Sequence, residues 1–350
     1  MHVWPVRGQE VSAWKRAALA VGAISGLVGV GIAAERTVAR RLRRHADPDV
    51  DTPIVAEYDR SYRLPSHDGG EVFVVEKGEG PVIVLSHGVT LSVRTWAKQL
   101  TGLSAAGFRV IAFDHRGHGE STVGTSGHTI ENLGADVRTV IEGLDLHDVV
   151  LVGHSMGGVA VQSFCRDHAD VARERVAGIV LLSSLTRSIL AGVPRLAAAT
   201  TWTADHLPDA AGVLRARDFG LAVSRLGFGR NPVASQVEAT RQMILDTKTG
   251  TRRDAVAALA GLDLSDRIGR IDRATLIICG TADLVTPLAE SRRMAHRIPG
   301  ARLEVVEGGG HMLMFERATV VDGLIADFAR SVQTSAGQGG AVEVRRIIGD

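Results

Sequence analysis

From about Tyr58 onward, short apolar runs alternate with stretches of helical spacing. Val72–Val75 and Val82–Leu85 read as strands separated by a Gly-rich turn at Gly78 and Gly80. Val110–Phe113, Val149–Val152, Ile179–Leu182, Leu276–Ile278 and Leu303–Val306 are further continuous apolar runs. Ile130–Leu144 carries the three-and-four spacing of an amphipathic helix, Val159–Phe164 continues a helix after a sharp turn, and Phe315–Ala329 is a terminal amphipathic helix. Strands that are apolar on both faces, with helices between them, predict an α/β protein with a mostly parallel sheet. Between Leu185 and Ile271 no strand pattern occurs. Helical patches such as Ala210–Arg217 and Val237–Leu245, broken by Gly and Pro, predict a helical cap at residues 185–271 inside a domain spanning residues 58–331. The tail, residues 332–350, is Gly-rich and expected to be loose.

The N-terminal pattern is different. Ala17–Ala34 holds no charged residue and as a helix would be roughly 27 Å long, close to a bilayer core. Trp14, Lys15 and Arg16 precede it, and Arg36, Arg40, Arg41, Arg43 and Arg44 follow. The expectation is a single membrane-spanning anchor. The arginine-rich side, and with it the domain at residues 58–331, is placed in the cytoplasm, and the arginines lie near anionic headgroups. A cleaved signal peptide leading to secretion and an interfacial or soluble helix are the alternatives. Ala18, Gly22 and Gly26 share one helix face on which two anchors could pack. Residues 1–57 are thus read as anchor and basic, then polar, connector.

Composition narrows the function classes. The chain has 350 residues, 45% of them hydrophobic, enough for one large domain with a full core. A formal net charge of +1 and an aromatic content of 4% offer neither the basic field nor the stacking platforms of a nucleic-acid binder. Cys165 and Cys279 sit in apolar patterns without ligand spacing, so they are read as buried free thiols, and no metal site is expected.

The chemistry concentrates at the ends of the strand-like runs. Gly153-His154-Ser155-Met156-Gly157-Gly158 joins an apolar strand to a helix. This G-x-S-x-G turn is so tight that side chains at Gly153 and Gly157 would clash, and it presents Ser155 at a helix N-terminus that favours negative charge. A serine hydroxyl needs a base. His311, after three glycines that follow the last strand, is the candidate. The acid that would hold its tautomer is Asp283, just past the strand ending at Ile278, with Asp263 and Asp266 as rivals before that strand. Oxyanion donors are expected from the backbone N–H groups of Met156 and of Val89, in the loop Ser86-His87-Gly88-Val89. Gly88 lets that loop turn inward, and His87 is expected to support it by hydrogen bonding.

These segments, together with Asp114-His115-Arg116-Gly117-His118-Gly119-Glu120-Ser121, resemble the α/β-hydrolase fold family, in its esterase, monoacylglycerol-lipase-like and haloperoxidase-like branch. The resemblance implies a sheet of about eight strands, a cap after the sixth, no cofactor, and a structural role for the loop at Arg116–Gly119. The leading expectation is hydrolysis of carboxylic esters, lipophilic ones if the chain is membrane-held, through an acyl-enzyme. Acyl transfer, carbon–carbon bond hydrolysis or perhydrolysis on the same triad is the alternative, with a non-catalytic ligand-binding protein as a third reading.

Overall fold

In a computed structural model the described residues are 36–44, 46–50, 54–188, 214–334 and 344–347. Among the described residues nine strands form one sheet: β1 (Arg60–Pro65), β2 (Glu71–Lys77), β3 (Val82–Ser86), β4 (Arg109–Phe113), β5 (Val149–His154), β6 (Val176–Leu182), β7 (Ala274–Gly280), β8 (Arg302–Val306) and β9 (Val344–Ile347). Their spatial order is β1-β2-β4-β3-β5-β6-β7-β8-β9. β2 pairs antiparallel with β1 and β4, and every other pairing is parallel. The helices used below are α1 (Ala97–Ala105), α2 (Ile130–Gly143), α3 (Met156–Asp167), α4 (Ala169–Arg175), α5 (Arg217–Ser224), α6 (Ala234–Asp246), α7 (Thr249–Ala260), α8 (Leu288–Arg297), α9 (Leu313–Glu316) and α10 (Ala318–Thr334).

Each predicted strand run lies in β2 to β8, and the sheet separates two apolar cores. One, against α2 and α3, gathers Val84, Ile111, Leu151, Val137 and Phe164. The other, against α1 and α10, gathers Ile83, Val110, Val152, Leu100 and Ile325. Alternate residues of one strand thus face opposite layers, which is why these strands are apolar throughout. α2 begins where Thr129 accepts the Asn132 N–H and buries Leu133, Val137, Val140 and Ile141, the stripe its spacing predicts.

Two strands add to the seven predicted runs, making nine where the resemblance implied about eight. β1 is polar and exposed at the sheet edge, so no apolar run announces it. β9 lies in the tail read as loose and pairs with β8 from Leu303↔Val344 to Val306↔Ile347.

Within the expected cap, α5, α6 and α7 lie between β6 and β7. The connector preceding the domain is packed on it rather than solvated. Residues 36–42 are helical, Ala39 and Leu42 are buried, and Arg43 pairs with Asp218 of α5. Asp47 accepts the Ser235 N–H and hydroxyl at 2.7 Å each, and Asp49 takes Lys98 at 2.7 Å and Gln236 at 3.0 Å.

The localisation expected from the sequence is overturned. Among the described residues no helix is long and apolar enough to cross a membrane. Amphipathic helices such as α10 bury one face on the sheet, and Arg43, assigned to headgroups, serves an intrachain ion pair. The segment 17–34, with its small-residue face, lies outside the described residues.

One half-buried carboxyl between α10 and α1 predicts how stability depends on pH. Burial pushes Asp322 up from 3.8 to about 6, against the opposing hydrogen bond from Gln99 Nε2. The folded chain therefore keeps a proton that the unfolded chain releases, and stability falls as pH rises from about 4 to about 6. Asp322→Asn, which keeps the acceptor for Gln99, should match wild type below pH 4. Above pH 7 it should exceed wild type by up to about 3 kcal/mol, less to the extent that solvent screens this half-buried group. Urea denaturation at both pH values checks this, and an equal difference at both would contradict it.

Candidate active site

The sharpest local constraint lies where β5 meets α3. Ser155 is the residue before the helix and has φ 52° and ψ −116°, a left-handed φ that serine adopts at a cost of about 1–3 kcal/mol. Neighbours hold it there. Its N–H donates to Leu182 O at 3.1 Å, and its carbonyl accepts the Ser184 hydroxyl at 2.9 Å. A Cβ at Gly153 would stand 2.5 Å from Gly157 O, and one at Gly157 would stand 2.1 Å from Ser86 O. Neither position accepts a side chain without displacing backbone. Met156 opens the helix, so its N–H has no acceptor within the helix.

Asp283 and His311 meet across the ends of β7 and β8. His311 Nδ1 lies 3.0 Å from Asp283 Oδ2, with both side chains buried. Asp283 Oδ1 accepts the N–H groups of Val285 and Thr286 at 2.8 Å each, and Oδ2 accepts the Thr286 hydroxyl at 2.7 Å. Burial alone would raise the Asp283 carboxyl, but His311 and the Thr286 donors outweigh it and hold it below 3.8. An ionised carboxylate at Nδ1 requires the proton there, which leaves the Nε2 lone pair free to act as a base. The rival Asp263 is exposed and bonds to the Ser265 N–H at 2.9 Å, and Asp266 is exposed as well, so the fold brings neither into this group.

His311 comes to the elbow through His154. The His154 Nε2–H donates to His311 O at 3.0 Å, and the two rings lie 4.6 Å apart between centroids. Burial, and then the neighbouring His311, drive the His154 pKa well below 6.5, so it stays neutral and adds no charge beside the candidate base.

The loop after β3 is fixed by a second set of histidines. His87 Nε2 accepts the His115 N–H at 3.0 Å, so its Nδ1 carries the proton and donates to Gly88 O at 2.7 Å. His118 Nε2 accepts the Thr90 N–H at 3.1 Å, and its Nδ1–H donates to Arg116 O at 3.0 Å. Ser86 Oγ lies 2.8 Å from His115 Nε2 and 3.3 Å from Gly157 O, which ties this loop to the elbow. Val89 is half-buried between these anchors. Desolvation drives His87 and His115 far below 6.5 and lowers His118 to about 4, so the fixing histidines are neutral at neutral pH. Behind them Arg116, almost fully buried, donates to both carboxylate oxygens of Asp136, from Nε at 2.7 Å and Nη2 at 2.8 Å, and to Asp68 at 3.0 Å.

Sequence reasoning missed Thr286 and the contacts of His154. The hydroxyl of Thr286 reaches Asp283 Oδ2, Ser183 O at 3.0 Å and His311 Nδ1 at 3.2 Å. A signal for it was available: Asp283 followed three residues later by Thr286 and then Pro287 is the pattern of a side-chain-capped turn before a helix. No such signal exists for His154, whose role depends on a residue far along the chain. Among the described residues no group of His, Cys, Asp and Glu is arranged to hold a metal ion.

Comparison with known proteins agrees with this architecture. A family model described as alpha/beta hydrolase fold matches residues 81–318. A non-heme haloperoxidase of Rhodococcus erythropolis is 32% identical over 282 residues, 77% of this chain and 99% of that protein. A non-heme chloroperoxidase of Kitasatospora aureofaciens is 30% identical over 263 residues, 70% of this chain and 90% of that one. The solved structure of an esterase from Exiguobacterium antarcticum shares the fold, with a TM-score of 0.69 at 23% identity, covering 77% of this chain and all of the esterase. With its mostly parallel sheet, its serine turn after β5 and these relatives along most of its length, the chain belongs to the alpha/beta hydrolase fold family, in a branch similar to haloperoxidases and esterases.

Proposed function

We propose that the protein is a serine hydrolase that cleaves carboxylic esters, with Ser155 as nucleophile, His311 as general base and acid, and Asp283 as the carboxylate that orients it. The observation that carries this reading is the buried hydrogen bond between Asp283 and His311, held against His154 at the elbow that presents Ser155. In this reading His311 Nε2 takes the Ser155 proton while Oγ attacks the ester carbonyl. The resulting oxyanion accepts the N–H groups of Met156 and Val89. Collapse expels the alcohol, protonated by His311, and leaves an acyl-enzyme. Water, deprotonated by the same imidazole, then attacks the acyl carbon and releases the carboxylic acid and free Ser155. No cofactor takes part in these steps.

The name of a further relative, a bifunctional esterase/perhydrolase of Acinetobacter calcoaceticus that is 28% identical over 285 residues, favours a second reading on the same residues. Hydrogen peroxide would take the place of water in the second half-reaction, giving a peracid. An ester panel with and without peroxide separates the two by the product formed. The expectation of lipophilic substrates rested on the membrane anchor and falls with it, so the panel spans short to long acyl chains.

Ser155→Ala should lower kcat on the best ester by about a million-fold while leaving the far-ultraviolet dichroism unchanged. Retention of a tenth of wild-type turnover would remove Ser155 from the role. Asp283→Asn should cost about 10⁴ in kcat, because an amide favours the wrong imidazole tautomer. Near-normal turnover in that variant, with a large loss in Asp263→Asn, would transfer the acid role to Asp263.

A further inference from the structure

Two to three turns along α3 from Ser155, a separate cavity of about 240 Å³ opens between α3, α4 and the turn that leads into β7. The apolar half of its lining is formed by the buried side chains of Leu264, Ile268 and Ile271 together with Cys165. Burial pushes the Cys165 thiol up to about 12, so this wall carries no charge. Gln162 also lines the cavity, and its buried Oε1 has no hydrogen-bond partner, whereas its Nε2 donates to Gly158 O and Leu185 O at 3.0 Å each.

The rim is cationic. Arg166, Arg173, Arg267 and Arg270 all line the opening. Arg166 is engaged by Asp167 and by Glu131 at 3.0 Å. Arg173 lies 4.0 Å from Asp272, a carboxylate that also takes Arg273 at 3.0 Å. Arg267 and Arg270, one before and one at the end of the short helical turn Ile268–Arg270, have no carboxylate within ion-pair distance among the described residues. Two exposed guanidinium groups are thus left over beside the apolar half of the recess.

We propose that this cavity binds a small anionic amphiphile, with its carboxylate or phosphate head on Arg267 and Arg270 and a short apolar body on the Leu264, Ile268 and Ile271 floor. Each half of the recess suits half of such a molecule. The planar guanidinium fork matches the two oxygens of a carboxylate or phosphate and holds them by charge-assisted hydrogen bonds. An apolar recess with a few convergent polar groups is the usual form of a small-molecule site. Scaled from the ~150 Å³ cavity that takes up benzene, 240 Å³ has room for about ten non-hydrogen atoms, the size of an eight-carbon acid. Carboxylate and phosphate amphiphiles share this chemistry and are separated by the probes below. The site is independent of the hydrolase reading, since none of its residues belongs to the Ser155, Asp283 and His311 group.

Isothermal titration calorimetry on the full chain, with octanoate, octyl phosphate, octanol and inorganic phosphate as separate probes, tests the proposal. One-to-one binding of octanoate or octyl phosphate is expected, at least about tenfold tighter than octanol and than inorganic phosphate. Whichever of the two amphiphiles binds more tightly identifies the head. Replacing both rim cations (Arg267→Ala with Arg270→Ala) should weaken that binding by about tenfold or more and leave esterase kcat within twofold, because both side chains are exposed and remote from Ser155. Ala169→Phe, which fills the recess from its wall, should abolish binding. Amide nuclear magnetic resonance shifts should appear at residues 264–271. The proposal is overturned if neither amphiphile binds below about 20 mM, if octanol binds as tightly as octanoate and octyl phosphate, or if inorganic phosphate matches octyl phosphate. Binding that survives the double arginine variant, or shifts confined to the surroundings of Ser155 and His311, would overturn it as well.

Discussion

The close approach of α3 to the end of β3 is the constraint on which the rest of the site depends. Gly157 lies so near Ser86 O that no side chain fits between them, and Gly153 is crossed as tightly by Gly157 and Gly158. That contact forces the sharp turn, and the turn forces Ser155 into a left-handed conformation. It also sets two neighbours. Ser86 Oγ ties the loop carrying Gly88 and Val89 to the elbow, and His154, pointed into the core by β5, supports the backbone of His311. The strain at Ser155 persists because the sheet around it is rigid. β5 lies between β3 and β6, and the Ser155 N–H is held by the last residue of β6.

Charge is distributed so that few groups near Ser155 can change ionisation at neutral pH. His87, His115, His118 and His154 are buried and neutral, each spending its ring nitrogens, where bonded, on backbone or hydroxyl groups. The buried Arg116 is matched by Asp136 and Asp68, and its raised pKa reflects those carboxylates overcoming desolvation. Asp283 keeps its negative charge through four donors despite burial. Among these histidines His311 is the one hydrogen-bonded directly to a buried carboxylate, through Nδ1 to Asp283 Oδ2 at 3.0 Å.

Much of this could be read from the chain because the central strands are apolar on both faces. Runs such as Val149–Val152 and Leu276–Ile278 have no other stable use than a covered parallel sheet, and loops at their ends mark where chemistry collects. The serine turn was legible because its glycines are sterically required. The polar edge strand β1 and the tail strand β9 were not, since edge pairing leaves little trace in side-chain pattern. The arginine-rich connector misled for a related reason. Charge density alone does not distinguish a headgroup contact from Arg43 paired with Asp218 or from a helix that buries Ala39 and Leu42. Thr286 and His154 act only through partners supplied by other elements, and spacing in one sequence cannot report such a meeting.

The central claim is that Ser155 carries the acyl group between two half-reactions. Mixing the full-length protein with an activated acetate ester, quenching in acid within milliseconds and mapping the peptides by mass spectrometry tests it most directly. One acetyl group per chain on the peptide containing Ser155, appearing before steady state and decaying when the ester is exhausted, is the predicted result. Turnover without any acylated Ser155 peptide, or acylation at another residue with the same kinetics, would contradict the account.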